Sequence, residues 1–365
     1  MFSAEDRILF FAPHPDDESL AGAGLLQRAF RQQAPTRVVY VTSGDNNVWA
    51  QRLFERRWNV GWSDRKRWGE RRKLEATAAL KALGGSGHDA CFLDLPDQGL
   101  TRLLMGGVRQ VFELLRDQLT AWRPTLVVQP AAEDAHPDHS ALHVLLSLVA
   151  SSYPERPWTT LNYVVHRPRA PLPDPAHTLA LDASEVAGKL HAILMHETQI
   201  AASRKRFTGY AQPEERFYDE LSDFFLQPPV REVSIRDGEL AVEIASHTIA
   251  GNQLELLLVM QTEDFQSMRW VLWLSRLEGD AFLRDAVTGS LLHAVPVCRR
   301  GDGVTVRLPG LPRLQSAFVK PQGRPLFFDR AGWIRVPRIV TSVSEWPRGH
   351  QPVVKTHLVT PLAAG

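Results

Sequence analysis

The stretch Ile8-Leu9-Phe10-Phe11-Ala12-Pro13-His14-Pro15-Asp16-Asp17-Glu18 joins an apolar run to a loop crowded with ionisable groups. Four consecutive large apolar residues predict a strand buried on both faces, and the two prolines stop it. An imidazole and three carboxylates follow. Charged groups at the lip of a core are costly unless they bind a metal or face a cleft, so this strand end is the expected catalytic edge.

Outward from it, residues 19–33 predict a helix carrying Leu20, Leu25, Leu26 and Phe30, entered through Gly22 and Gly24. Residues 37–42 predict a second strand. Strand, helix and strand in about 40 residues make a βαβ unit, hence a parallel, doubly wound sheet with both strand ends on one rim. A helix over 70–83 stops at Gly84-Gly85, and strands over 90–95 and 125–129 flank a helix over 105–122. The strand over 125–129 ends in Pro130-Ala131-Ala132-Glu133-Asp134-Ala135-His136-Pro137-Asp138-His139, with a helix from Ser140. A second buried strand thus ends in a His/Asp cluster that can face the first. A strand over 161–166 and a helix over 183–202 with His191, His196 and Gln199 complete this part.

After Pro228-Pro229 the pattern changes to short β runs, starting with a hairpin around Asp237-Gly238. Further runs lie at 254–260, 268–274, 291–297, 304–308, 318–320 and 333–336. The expected fold class is α/β, a Rossmann-like, mostly parallel sheet flanked by helices, followed by a C-terminal all-β, sandwich-like domain. The expected domains are 1–228 and 229–350, with a tail over 351–365.

A chain of 365 residues is long for a single core, which agrees with two domains. A net charge of +1 gives no global field for nucleic acid or an anionic membrane surface. No apolar run approaches the roughly 18 residues of a membrane span. Residues 1–6 lead straight into the first strand without a secretory pattern. Two cysteines, Cys91 and Cys298, are too few for a disulfide framework and are expected as reduced, buried thiols of a cytoplasmic protein.

His14 and Asp17, three apart on a tight loop, can bring a ring nitrogen and a carboxylate oxygen to one cation. His139 would complete the set and leave a fourth position for water, the pattern of an open, catalytic zinc site. Asp16 is the expected proton acceptor, and His136, held by Asp138, the expected oxyanion stabiliser or acid. His139 and His143, four apart on a helix, form a competing chelating pair, and Glu18 reads as a supporting or capping group. Between 46 and 70, Trp49, Trp58, Trp62 and Trp68 alternate with arginines. They read either as a lid or wall that stacks on a ligand ring and offers cations to anionic groups, with Trp49 an expected substrate contact, or as an amphipathic helix whose tryptophans pack down and whose arginines are solvated.

Pro13-His14-Pro15-Asp16-Asp17-Glu18 and His136-Pro137-Asp138-His139 resemble the two signatures of the PIG-L or LmbE-like zinc-dependent de-N-acetylases. Arg72-Lys73-Leu74-Glu75, with Ala78-Ala79 and Leu83-Gly84, is similar to that family's Arg-x-x-Glu helix, and Lys189 with His196-x-x-Gln199 is a weaker match. The resemblance covers roughly residues 6–205. It implies a Rossmann-like fold and hydrolysis of the acetamide of an N-acetylglucosamine-type conjugate, with zinc or another divalent metal on His14, Asp17 and His139. It further implies Asp16 as base, His136 with Asp138 as the electrophilic or acid partner, and Arg72 as a substrate contact. The expected partner is therefore an N-acetylated amino sugar, with no nucleic acid and no membrane span, and self-association into a homo-oligomer is a further expectation. The competing readings are an amidase on another N-acyl substrate, and a glycan-binding protein with a vestigial site.

Overall fold

The computed structural model describes residues 2–153, 155–168, 171–219, 226, 228–245, 253–275, 280–322, 329 and 331–336. The tail expected over 351–365 lies outside the described residues.

In chain order the first part runs β1 (Ile8–Ala12), α1 (Asp17–Ala21), α2 (Ala23–Arg31), β2 (Thr36–Thr42), α3 (Val48–Glu55), α4 (Trp62–Ala82), β3 (Ala90–Leu95), α5 (Leu100–Met105), α6 (Arg109–Trp122), β4 (Leu126–Pro130), α7 (Pro137–Ala150), β5 (Thr159–Tyr163), β6 (His177–Ala180), α8 (Ala183–Met195), α9 (Glu197–Thr208) and β7 (Glu214–Phe217). The first five strands form one parallel sheet in the order β3-β2-β1-β4-β5. All five residues of β1 are buried, as are those of β4, as their apolar runs require of central strands. From β1 the chain winds outward through β2 and β3, then returns to the other side of β1 with β4. The connections therefore diverge between β1 and β4, opening a crevice at their carboxyl ends where the two His/Asp loops lie.

Three expected helices are divided. The helix expected over 19–33 starts at Asp17 and breaks at Gly22, where a Cβ would meet Phe10 Cζ at 3.0 Å, so close passage over β1 demands glycine. The helix expected over 105–122 is α5 and α6, parted at Gly106-Gly107, with Gly107 at φ 60°. The helix expected over 183–202 is α8 and α9, parted at His196. In the tryptophan segment only Trp68 packs down, 1% exposed and edge-on to Phe54, while Trp49, Trp58 and Trp62 are 64%, 75% and 78% exposed. Cys91 is half-buried and Cys298 exposed, against the expectation of two buried thiols.

The second part continues as β8 (Val230–Arg236), β9 (Glu239–Ala245), β10 (Gln253–Thr262), β11 (Ser267–Ser275), β12 (Ala281–Asp285), β13 (Leu291–Val295), β14 (Val297–Arg300), β15 (Gly303–Leu308), β16 (Leu314–Gln322) and β17 (Ile334–Arg335). They form two antiparallel sheets, β13-β12-β11-β10-β16-β17 and β14-β15-β9-β8. Asp237 and Gly238 both take positive φ (49° and 74°), as a tight two-residue hairpin requires. Leu256, Leu258, Leu272 and Leu283 of the larger sheet share a core with Val242, Ile244, Val304 and Val306 of the smaller, making a sandwich.

The intervening residues Leu257 and Val259 join Phe318 and Trp333 in a different core, against Ala141, Leu142, Leu145 and Leu148 of α7. The larger sheet is thus covered on both faces, which explains why residues 254–260 read as nearly continuous apolar sequence. The architecture changes at Pro228-Pro229, yet one apolar cluster draws side chains from both sides of that point. Among the described residues no helix is long and apolar enough to cross a membrane.

His143 is buried in α7 with Nδ1 3.0 Å from the Pro130 carbonyl oxygen, and none of the groups of three or more metal-capable side chains found among the described residues includes it. Burial holds its imidazole down to about 4. Between that value and the ordinary 6.5 the unfolded chain takes up the proton first. The contribution of His143 is therefore complete above about pH 6.5 and declines by about 3 kcal/mol as pH falls to about 4. His143→Asn should flatten the fall in urea-unfolding free energy between pH 6.5 and 5; an unchanged slope assigns the acid sensitivity elsewhere.

Candidate active site

The loop after β1 is folded back on itself: the His14 backbone N–H donates to Asp17 Oδ2 (2.9 Å), and the His14 carbonyl accepts from the Asp16 and Asp17 N–H groups (3.0 and 3.3 Å). This aims the side chains of His14 and Asp17 at one point. From the other side of the crevice, Pro137 opens α7 and places the fully buried His139 in its first turn.

Three atoms converge. His14 Nδ1 lies 3.3 Å from Asp17 Oδ2, His139 Nε2 lies 3.2 Å from the same oxygen, and the two ring nitrogens are 3.3 Å apart. A tetrahedral ion with bonds of about 2.0–2.1 Å separates its ligand atoms by about 3.3–3.4 Å, so this triangle has the size of one face of such a polyhedron. The outer ring nitrogens are also engaged. His14 Nε2 faces Asp97 Oδ1 (3.2 Å) and Asp138 Oδ2 (3.4 Å), and His139 Nδ1 faces Asp134 Oδ2 (3.3 Å). Carboxylates at these positions keep the outer nitrogens protonated and turn the inner lone pairs toward a cation. The donor set therefore fits a divalent metal. Overlapping groups (His14, His136 and His139; Asp17, His139 and His166; His14, Asp97 and Asp138) also bring their donor atoms within 4.8 Å of one another.

The electrostatics agree with a cation site. Burial pulls the His14 imidazole down, but the carboxylates of Asp138, Asp17 and Asp97 raise it well above its ordinary value. His139 is lifted to about 9 by Asp134 and Asp17 against its own burial. Burial raises the Asp17 carboxyl, but His139 and His14 hold it well below the usual range. His136 moves the other way: burial, then the charges on His14, His139 and His166, push it well below the usual imidazole value.

Asp16 borders the triangle without belonging to it. Burial pushes its carboxyl up to about 6 against the pull of Arg72. Arg72, 3% exposed, donates to the carbonyls of Pro15 and Gly44 (2.9 Å each), and its guanidinium lies 3.2 Å from Asp16 Oδ1. Arg72 lines the cavity as a substrate contact should, but these bonds make it first a support for Asp16 and its loop.

Asp138 departs from its expected role. Its carboxylate accepts from the backbone N–H groups of Gln98 (2.6 Å) and Leu100 (3.0 Å) and approaches His14. Its link to His136 is a backbone one, the Asp138 N–H donating to His136 Nδ1 (3.2 Å). The reason is geometric: at the first turn of α7 the side chain of His136 caps the helix, and Asp138 turns toward the loop before α5. His136 stands edge-on to His14, ring centroids 4.6 Å apart.

A cavity of about 360 Å³ opens over these groups, lined by His14, Asp16, Asp17 and His136, with Trp49 and Phe207 among its walls. A larger one of about 1040 Å³ adjoins it, sharing Leu20, His166, Arg206 and Tyr210. The smaller cavity holds the chemistry. Trp49 sits at its edge with the Arg52 guanidinium 5.0 Å from its ring centroid.

Sequence reasoning missed Asp97, Asp134 and His166. Asp134 stood inside the quoted cluster, where its place two before His136 was the available signal; Asp97 looked like an ordinary turn residue. Glu18 does act as a support, accepting from Ser19 Oγ (2.6 Å) with His196 Nε2 at 3.0 Å, which ties the break between α8 and α9 to the catalytic loop. Lys189 is bound to Glu215 (2.8 Å), whose carboxylate also receives the N–H groups of Gly24 and Leu25, while His191 is exposed and takes no part.

Residues 9–150 match the family profile described as PIG-L: GlcNAc-PI de-N-acetylase. The 1D-myo-inositol 2-acetamido-2-deoxy-alpha-D-glucopyranoside deacetylase of Mycobacterium sp. (strain KMS) is 32% identical over 149 residues, 38% of this chain and 47% of that protein. The protein of the same name from Mycolicibacterium smegmatis (strain ATCC 700084 / mc(2)155) is 30% identical over 161 residues, 41% and 54% of the two chains. The chain thus spans about half the length of the curated relatives it matches. Among solved structures, a conserved protein from Thermus thermophilus aligns over 60% of this chain and 97% of its own at 22% identity, with a TM-score of 0.42. Both His/Asp clusters and the Arg72 helix fall within the matched segment, and over residues 9–150 this chain carries a PIG-L family domain.

Proposed function

We propose that the protein is a metal-dependent hydrolase that removes the acetyl group from an N-acetylglucosamine-type conjugate. The observation that carries this reading is the triangle of His14 Nδ1, Asp17 Oδ2 and His139 Nε2, with edges of 3.2–3.3 Å, open to a cavity of about 360 Å³. These three residues are the proposed zinc ligands; when bound, the ion supplies Lewis acidity to the acetamide carbonyl and the attacking water.

Asp16, held by Arg72, accepts the proton of the attacking water. Water adds to the acetamide carbon, the C–N bond breaks, and the sugar amine leaves as it takes up a proton, with acetate as co-product. His136, on the cavity wall beside His14, donates a hydrogen bond from its ring N–H to the developing oxyanion, and the proton taken by Asp16 passes to the departing nitrogen. Trp49 offers an aromatic face to a sugar ring at the cavity mouth. Residues 1–228 form the proposed catalytic domain and 229–350 its accessory domain. A cytoplasmic setting is part of the same reading.

Acetate release should be followed from N-acetylglucosamine conjugates and, in parallel, from longer N-acyl and peptide amides. Turnover restricted to the acetylated amino sugars is expected; turnover confined to the other amides would replace the deacetylase reading with that of an amidase.

A further inference from the structure

The loop over 131–136 joins β4 to α7, carries Asp134 and His136, and leads directly to His139. Its outer side is closed by Asp329, Gly332 and Trp333. The Trp333 N–H donates to the Ala132 carbonyl (2.7 Å) and the Asp329 N–H to that of Ala135 (2.9 Å), so the two contacts bracket Asp134. Gly332 lies so close that a Cβ there would collide with the Ala132 carbonyl and stand 2.9 Å from the Asp134 backbone carbonyl oxygen. Trp333 is fully buried in the core shared with α7.

Beside this segment Lys320 of β16 is 1% exposed. Its Nζ lies 2.5 Å from Asp329 Oδ2 and 3.4 Å from the hydroxyl of Ser140, the residue next to His139. Ser140 in turn bonds back to the His136 carbonyl (3.3 Å). A buried ammonium is costly unless matched by charge and hydrogen bonds. Here the matching groups sit on two different parts of the molecule, Asp329 and the first turn of α7. The Lys320 ammonium, held by Asp329, therefore joins the β region to the helix turn that bears His139 through its bond to Ser140.

We propose that Asp329, Gly332, Trp333 and Lys320 form a clasp by which the C-terminal β region positions the Asp134–His136 loop and His139, with Lys320 as a positioning residue. The β region is then part of the catalytic apparatus rather than an appendage. A loop carrying a metal-ligand support and a cavity histidine needs restraint on its solvent side, because a misplacement of about 1 Å costs on the order of 10²-fold in rate. The effect on turnover rests on the deacetylase reading; the effect on the loop does not.

The test uses the full chain with Lys320→Met and Gly332→Ala, the second pushing the clasp off the loop while leaving the Lys320–Asp329 pair intact. Amide hydrogen exchange over 131–139 should accelerate about tenfold or more, with exchange in β1 and in the core of the sandwich unchanged. Zn²⁺ affinity from chelator competition should fall about tenfold. Turnover should fall in kcat by about 10–100-fold with KM little altered, and Lys320→Arg should recover part of it. Unchanged exchange over 131–139 in the variants that fold, or acceleration spread evenly through the chain, overturns the proposal. If Lys320→Met does not fold, Gly332→Ala decides by the same readouts. An unmodified protein that releases no acetate would refute the deacetylase reading and leave the exchange and metal results to judge the clasp.

Discussion

Asp16→Asn should lower acetate release by about 10²–10⁴-fold while the protein keeps its metal, the range lost when a positioned general base is removed. The substitution preserves shape. Asparagine still presents an oxygen to Arg72, which remains fixed by the carbonyls of Pro15 and Gly44. What disappears is an oxygen able to take a proton beside the His14–Asp17–His139 triangle. Asp16 contributes no edge to that triangle, so metal content by elemental analysis should match that of the unmodified protein. Turnover within about threefold of the original, with metal content intact, would remove Asp16 from the mechanism and leave the base unassigned.

His139→Ala should abolish both metal binding and turnover. The residue is fully buried, provides one vertex of the triangle, and is the link between Asp17 and Asp134. Alanine removes the vertex and leaves two buried carboxylates without their shared partner, so added metal should not restore activity. Asp134→Asn is the comparison that separates ligand from support. It keeps the vertex but weakens the hold on Nδ1, and loss of such a partner lowers metal affinity by about 10–100-fold. His139→Ala should exceed that loss by a wide margin in the same chelator competition. A metal-free His139→Ala protein that still released acetate would sink the ligand assignment, and equal losses in the two variants would mean that His139 supports the site without ligating.

Much of this was legible in order along the chain. Apolar runs ending in His/Asp loops marked β1 and β4, and the short distance from β1 to β2 made the sheet parallel. The hairpin at Asp237-Gly238 was readable because left-handed backbone selects those residue types. Divided helices were not, because a break such as that at Gly22 answers to Phe10 on the strand beneath it rather than to its neighbours in sequence. The strand β12 escaped for a similar reason: Ala281-Phe282-Leu283-Arg284-Asp285 is short, half of it faces solvent, and its pairing comes from β11 and β13.

The fold class, the change of architecture after Pro228-Pro229 and the two clusters from which His14, Asp16, Asp17 and His139 come can all be read along the chain. Those depend on local patterning: strand runs, stop signals and the types of side chain that bind cations or carry protons. Long-range packing settles which carboxylate serves which imidazole, that Arg72 holds Asp16, that Asp138 turns to the loop before α5, and that residues some 200 positions downstream close over the Asp134 loop. Such pairings depend on distances of 2.6–3.4 Å between groups far apart in the chain, and those distances are set by the strand order β3-β2-β1-β4-β5 and by the packing of α7 between two sheets.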